Sequence, residues 1–161
     1  MIGVETDVSA EWDKNIDWPA LARSAVHAGV AHSRHSGLAD SEVSVKFTSD
    51  EEVRALNAAW RGQDKATNVL SFPMAEEGEL ASARLLGDVV LAYGICAAEA
   101  GEKQIGVETH AAHLVVHGTL HLLGYDHETG DEDAEEMEEA ERRALASIGI
   151  ADPYQLSEVQ A

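Results

Sequence analysis

The chain predicts an α/β fold: one domain built on a mixed sheet of about four strands, covered by about five helices. Three observations carry this. Short segments in which apolar and polar residues alternate are interleaved with longer ones in which apolar residues recur every three or four positions, the side-chain periods of strand and helix. Their order, β-α-β-α-β-β-α-α-α, fits a single sheet with helices packed on it. The 161 residues, without internal repeat or low-complexity linker, suit one domain with a real core. The domain is expected over residues 1–152, with a loose tail over 153–161.

Ile2, Val4, Thr6 and Val8 alternate with Gly3, Glu5 and Asp7, which reads as a first strand. Asp17 reads as an N-cap, with Pro19 in the first turn of a helix running to about Val30. Val43, Val45 and Phe47 alternate with polar neighbours in a second strand. Ser49-Asp-Glu-Glu52 has the form of a capping box and opens a helix to about Trp60. After the loop Arg61–Ala66, Asn68–Phe72 reads as a short strand stopped by Pro73, and residues 75–81 as an exposed acidic connection. Leu85–Tyr93 reads as a further strand in which Asp88 is expected to be buried against a backbone partner. Helices are expected over about 95–103, 108–123 and 131–148. The last of these has Ala134, Met137, Ala144, Leu145 and Ile148 on its apolar face and acidic residues opposite.

Net charge is −19, which argues against a generic nucleic-acid binder. The acid is unevenly placed, however. Nine of the fourteen residues from Glu128 to Glu141 are Asp or Glu, whereas three of the eleven basic residues, Arg54, Arg61 and Lys65, fall within one short stretch. A local basic face therefore survives the overall charge. The first residues lack a basic start and an apolar run, so no signal peptide is expected; no stretch is long enough to span a bilayer. The single cysteine, Cys96, excludes an intrachain disulfide and fits a reducing compartment, with the cytoplasm as the expected location.

The densest chemical signal is His117-Gly-Thr-Leu-His-Leu-Leu-Gly-Tyr-Asp-His127. Residues four apart on a helix share a face at about 6 Å along the axis, so His117 and His121 can share one ion. His113 is about 12 Å from His121 along that axis, too far for all three rings to reach one ion at about 2 Å. Gly124 tolerates positive φ and can end the helix, letting His127 return as the third ligand. Three imidazoles with an open position describe a zinc-hydrolase-like catalytic site better than a structural zinc, which is normally saturated by protein ligands. The spacing is that of the metzincin proteases, but those place a Glu base directly after the first ligand, and here that position is Gly118.

The chain resembles the bacterial YbeY family of metal-dependent endoribonucleases. The resemblance rests on residues 113–127, on Leu56-Asn-Ala-Ala-Trp-Arg61 with Thr67-Asn-Val-Leu-Ser-Phe-Pro73, and on Leu86-Gly-Asp-Val-Val-Leu91. It implies one Zn2+ on His117, His121 and His127, a functional Arg61, single-stranded RNA as substrate, and a role in 16S rRNA 3′-end maturation and ribosome quality control. The small ribosomal subunit or its proteins would be partners; neither a membrane nor DNA is expected. The chain departs at Asn68, where many members carry Asp, so any role needing that carboxylate would be lost.

The expected chemistry is hydrolysis of a phosphodiester by a zinc-bound water, with Arg61 holding the phosphate. Asp126 stands either as a partner orienting an imidazole or as a turn residue, and His113 as a packing or supporting residue. Two other classes remain open at this level. One is a metallohydrolase acting on a peptide or small molecule; the other is a ribosome-assembly factor whose zinc is structural.

Overall fold

In the computed structural model, which describes residues 2–38, 40–126 and 130–154, four strands form one sheet in the order β1-β2-β4-β3. They are β1 (Gly3–Val8), β2 (Glu42–Thr48), β3 (Val69–Pro73) and β4 (Leu85–Ala92). β1, β2 and β4 run parallel, and β3 pairs antiparallel along the outer side of β4. Pro73 ends β3 as expected, as its last residue rather than the one after it, opposite Gly87. An edge strand accepts proline there because one side of its ladder is unused.

Among the described residues five α-helices accompany this sheet: α1 (Trp18–Ala31), α2 (Asp50–Arg61), α3 (Tyr93–Lys103), α4 (Val107–Leu122) and α5 (Asp131–Ser147). The capping signals act as the sequence suggests. Asp17 accepts a hydrogen bond from the Ala20 amide, and Ser49 from the Glu52 amide. The Glu52 carboxylate, instead of completing a capping box, accepts from the Thr48 hydroxyl at 2.6 Å and from Lys46. These bonds hold its pKa below the ordinary carboxylate value, the Thr48 bond contributing most. The connection 75–81 is not wholly exposed either. A short 3-10 helix, Glu77–Ser82, tucks Leu80 into the core.

The strand alternation divides the sheet into two unequal faces. Val43, Val45, Phe47, Leu86, Val89 and Leu91 point to one face, where α1 and α4 lie across the sheet and α5 packs against both. Trp12 and Trp18 meet Phe47 there edge-on or tilted, and the Trp12 indole N–H donates to the Thr48 carbonyl. The other face carries a small cluster, Val53, Leu70, Val90 and Ala92, formed where α2 covers β3 and β4. Beyond α2 that face is uncovered. Strand register sets Glu5, Ser44, Asp88 and Phe72 in one cross-strand row. Asp88 is therefore half-exposed rather than buried against a backbone partner.

The long apolar-stripe helix, α4, is held unusually close to the sheet. A Cβ at Gly118 would lie 2.7 Å from Val89 Cγ1 and 3.1 Å from the Ser71 hydroxyl oxygen. Ser71 donates to the Gly118 carbonyl at 3.2 Å. The position that holds a catalytic glutamate in metzincins is thus pressed against β3 and β4, with no room for any side chain. Among the described residues no helix is long and apolar enough to cross a membrane.

Candidate active site

Helix α4 carries four histidines, His110, His113, His117 and His121, and ends as Gly124 allows. Gly124 has φ 97, its amide donates to the His121 carbonyl, and the Tyr125 amide donates to the Leu120 carbonyl. This is the Schellman pattern that closes a helix on a positive-φ residue. The reversal brings the Tyr125 carbonyl back over the last turn, where it accepts from His121 Nδ1 at 2.9 Å. A carbonyl only accepts, so His121 carries its proton on Nδ1 and turns the Nε2 lone pair outward.

His117 is fixed in the same sense by a different group. Its Nδ1 lies 2.6 Å from Glu141 Oε1, and its Nε2 lies 3.1 Å from His121 Nε2. Two ring nitrogens at that separation, each about 2.0–2.1 Å from a shared ion, subtend roughly 100° at it, close to a tetrahedral angle. Each ring also has the hydrogen-bond acceptor behind it that metal-ligating histidines commonly use. The donor set therefore fits a metal ion. The third expected ligand, His127, lies outside the described residues, and among the described residues no group of three His, Cys, Asp or Glu side chains is close enough to hold a metal.

Glu141 was not anticipated as a site residue. It comes from α5 and is 0% exposed. Its carboxylate accepts from three donors: His117 Nδ1, His113 Nε2 at 2.9 Å, and the Tyr154 hydroxyl at 2.5 Å. Burial alone would raise this carboxyl's pKa, but the bonds from His113 and His117 outweigh it and hold the group ionised, below the ordinary carboxylate range. Burial and the adjacent Glu141 charge push the Tyr154 phenol upward, so it stays a donor. The signal was present in the sequence. Met137, Glu141, Ala144, Leu145 and Ile148 lie on one helical stripe, and a carboxylate in an apolar stripe needs a partner. The surrounding run of surface acids concealed it. Of the tail expected to be loose, only Pro153 and Tyr154 are among the described residues, the Tyr154 ring meeting His113 edge-on; the rest of that expectation lies outside them.

A second polar network lies one turn back along α4. The buried His110 ring is 2.9 Å from Glu99 Oε1, and the Asn68 amide donates to the same oxygen at 3.0 Å. Asn68 therefore uses a donor that an aspartate lacks, and an ionised Asp there would face the Glu99 carboxylate. Burial lowers the His110 pKa despite the Glu99 bond. Cys96, on the adjoining α3, is fully buried, and burial pushes its thiol up to about 12, so it is a packing residue.

His117 and His121 open into a cleft of about 670 Å³ that Arg61, Lys65, Asn68, Ser71 and Asp126 also line. Arg61, expected in the loop after the helix, is instead the last residue of α2. Neither Arg61 nor Lys65 is matched to a carboxylate among the described residues. Arg54, the third cation expected on this face, is matched: both its Nε and its Nη2 bond Asp64, at 2.8 and 3.2 Å. The basic face thus comes down to two cations beside two imidazoles.

Sheet, helices and cleft define a class: a one-sheet α/β protein presenting paired imidazoles at the end of a helix, opposite cations that meet no carboxylate among the described residues. The family pattern described as Endoribonuclease YbeY matches residues 7–149. The Endoribonuclease YbeY of Novosphingobium aromaticivorans is 50% identical over 158 residues, covering 94% of this chain and 95% of its own. That of Rhizorhabdus wittichii is 46% identical, covering 98% and 99%. The solution structure of TM1509 from Thermotoga maritima superposes with a TM-score of 0.57 at 26% identity, over 92% of this chain and 91% of that one. The chain belongs to the Endoribonuclease YbeY family.

Proposed function

We propose that this chain is a zinc-dependent endoribonuclease that hydrolyses phosphodiesters of single-stranded RNA, with 16S rRNA 3′-end maturation in the cytoplasm as its task and the small ribosomal subunit as its partner. The observation that carries the chemistry is the pair of Nε2 atoms 3.1 Å apart, each ring oriented from behind, facing a cleft lined by Arg61 and Lys65. The relatives' shared name, Endoribonuclease YbeY, supports RNA as substrate.

His117, His121 and His127 would hold the metal. A zinc ion there supplies Lewis acidity toward a phosphoryl oxygen and makes water a stronger nucleophile near neutral pH. The protein's own contributions follow from its contacts. Glu141 holds His117 and the Tyr125 carbonyl holds His121, so neither ring must reorient on ligation. Arg61 and Lys65 neutralise and position the phosphate, the guanidinium offering two parallel donors. A peptidase reading fails sterically as well as chemically: Gly118 cannot become the missing glutamate without displacing α4 from Val89.

The test is cleavage of single-stranded 16S fragments by metal-quantified protein beside His117→Ala and Arg61→Ala. The proposal expects His117→Ala to lose both metal and cleavage, and Arg61→Ala to keep its metal while losing cleavage. Equal cleavage by wild type and His117→Ala refutes it.

A further inference from the structure

Of the described residues, only two large apolar side chains are strongly exposed, Trp60 at 74% and Met74 at 57%. Both line one groove of about 650 Å³ on the uncovered face of the sheet, together with Leu56, Phe72 and Pro73. That volume suits a small organic ligand. The groove borders the histidine cleft. Pro73 lines both, and the two cavities are flanked by consecutive residues of α2, Trp60 on the groove and Arg61 on the cleft. Neighbouring helix residues project about 100° apart, so the last turn of α2 presents an indole to one space and a guanidinium to the other.

From this geometry, and resting on the reading that RNA is cut in the histidine cleft, we infer that the Trp60 groove is a base-stacking subsite for an unpaired nucleotide beside the scissile phosphate. An exposed indole next to a phosphate-binding cation is the usual composition of single-strand recognition, because every base has a face to stack. The groove's charges separate base from backbone. Glu5, Asp7 and Asp88 line the groove and repel phosphate, while Lys46, its only cation, is bound to Glu52. The sugar-phosphate chain stays on the Arg61 and Lys65 side, and only the neutral base passes Pro73. Those carboxylates accept hydrogen bonds, which favours bases with exocyclic amino groups over uracil.

Trp12 and Trp18 are 1% and 2% exposed, so indole quenching by a ligand reports Trp60. The experiment uses the full chain, metal-loaded, with a single-stranded oligoribonucleotide and the same strand made abasic at each position flanking the cleaved bond. Expected are quenched emission on binding and a KM about tenfold higher in Trp60→Ala, with kcat within about twofold of wild type. Trp60→Phe should restore most of the loss. One abasic position should cost wild type the same factor and cost Trp60→Ala nothing further. Unquenched emission with normal RNA kinetics in Trp60→Ala overturns the subsite and leaves the nuclease reading standing. Unchanged RNA kinetics with lost binding of an oligolysine peptide assigns the groove to a basic protein, and also overturns it. A wild type that neither binds nor cuts RNA overturns both readings.

Discussion

Glu141 is where packing and the histidine network meet. It is fully buried, and three donors converge on its two oxygens. Glutamine in its place presents an amide N–H₂ to at least one of those donors and leaves a buried mismatch. Glu141→Gln should therefore bind metal about 10–100-fold more weakly, the usual cost of losing the partner behind a ligating imidazole, as measured by competition with a chelator. A variant with wild-type metal affinity would reduce Glu141 to packing. Gly118 acts through absence. Alanine in mid-helix is favoured over glycine by about 1 kcal/mol, but here its Cβ would sit 2.7 Å from Val89 Cγ1. Overpacking of this kind costs typically 1–3 kcal/mol, so Gly118→Ala should be destabilising in a denaturant titration despite its better propensity.

Helix α4 joins these residues into a device, and its ends decide whether the device is set. Gly124 at φ 97 makes the reversal that places the Tyr125 carbonyl on His121. Gly124→Ala should cost at least about 1–2 kcal/mol in backbone strain and weaken metal binding with it, since the carbonyl that orients His121 would shift. Calorimetry with and without metal separates the two effects. At the other end of the helix, His110 ties α4 to α3 through Glu99. Its pKa is lowered in the fold, chiefly by burial. Above about pH 6.5, both folded and unfolded His110 are neutral and it contributes no slope. As pH falls below that, the unfolded chain takes up a proton that the fold refuses, so stability declines until pH reaches the depressed folded value. His110→Gln, which can still donate to Glu99, should flatten that part of the stability–pH curve. Much of this helix was legible in the sequence. The His117 and His121 spacing and the distance between His113 and His121 follow from about 1.5 Å per residue, and the stop at Gly124 from its tolerance of positive φ. What was not legible depends on partners far along the chain. Nothing within α4 says that Glu141, 24 residues on, or Tyr154 beyond it, will stand behind His117.

At the scale of the molecule the same limit explains the groove. Period-two alternation tells which residues share a face of a strand, but not which face the helices leave bare. That requires the strand order β1-β2-β4-β3 and the placement of α2 over β3 and β4 only. Asp88 was therefore expected to be buried, and Trp60 passed as the end of a helix. Charge has to be read at this scale too. A chain of net charge −19 should hold a polyanion weakly, and the two cations lining the cleft have to act locally. Each phosphate contact to a single strand contributes a slope of about −0.7 in log affinity against log salt, so on the proposed function Arg61 and Lys65 would together supply roughly −1.4. Lys65→Ala and Arg61→Ala should each reduce the magnitude of the measured slope by about 0.7. Arg54→Ala should leave it nearly unchanged, because Asp64 already neutralises that guanidinium. A large drop in slope for Arg54→Ala, measured on a non-cleaved oligonucleotide across a salt series, would place the phosphate track along the outer side of α2 and away from the histidines.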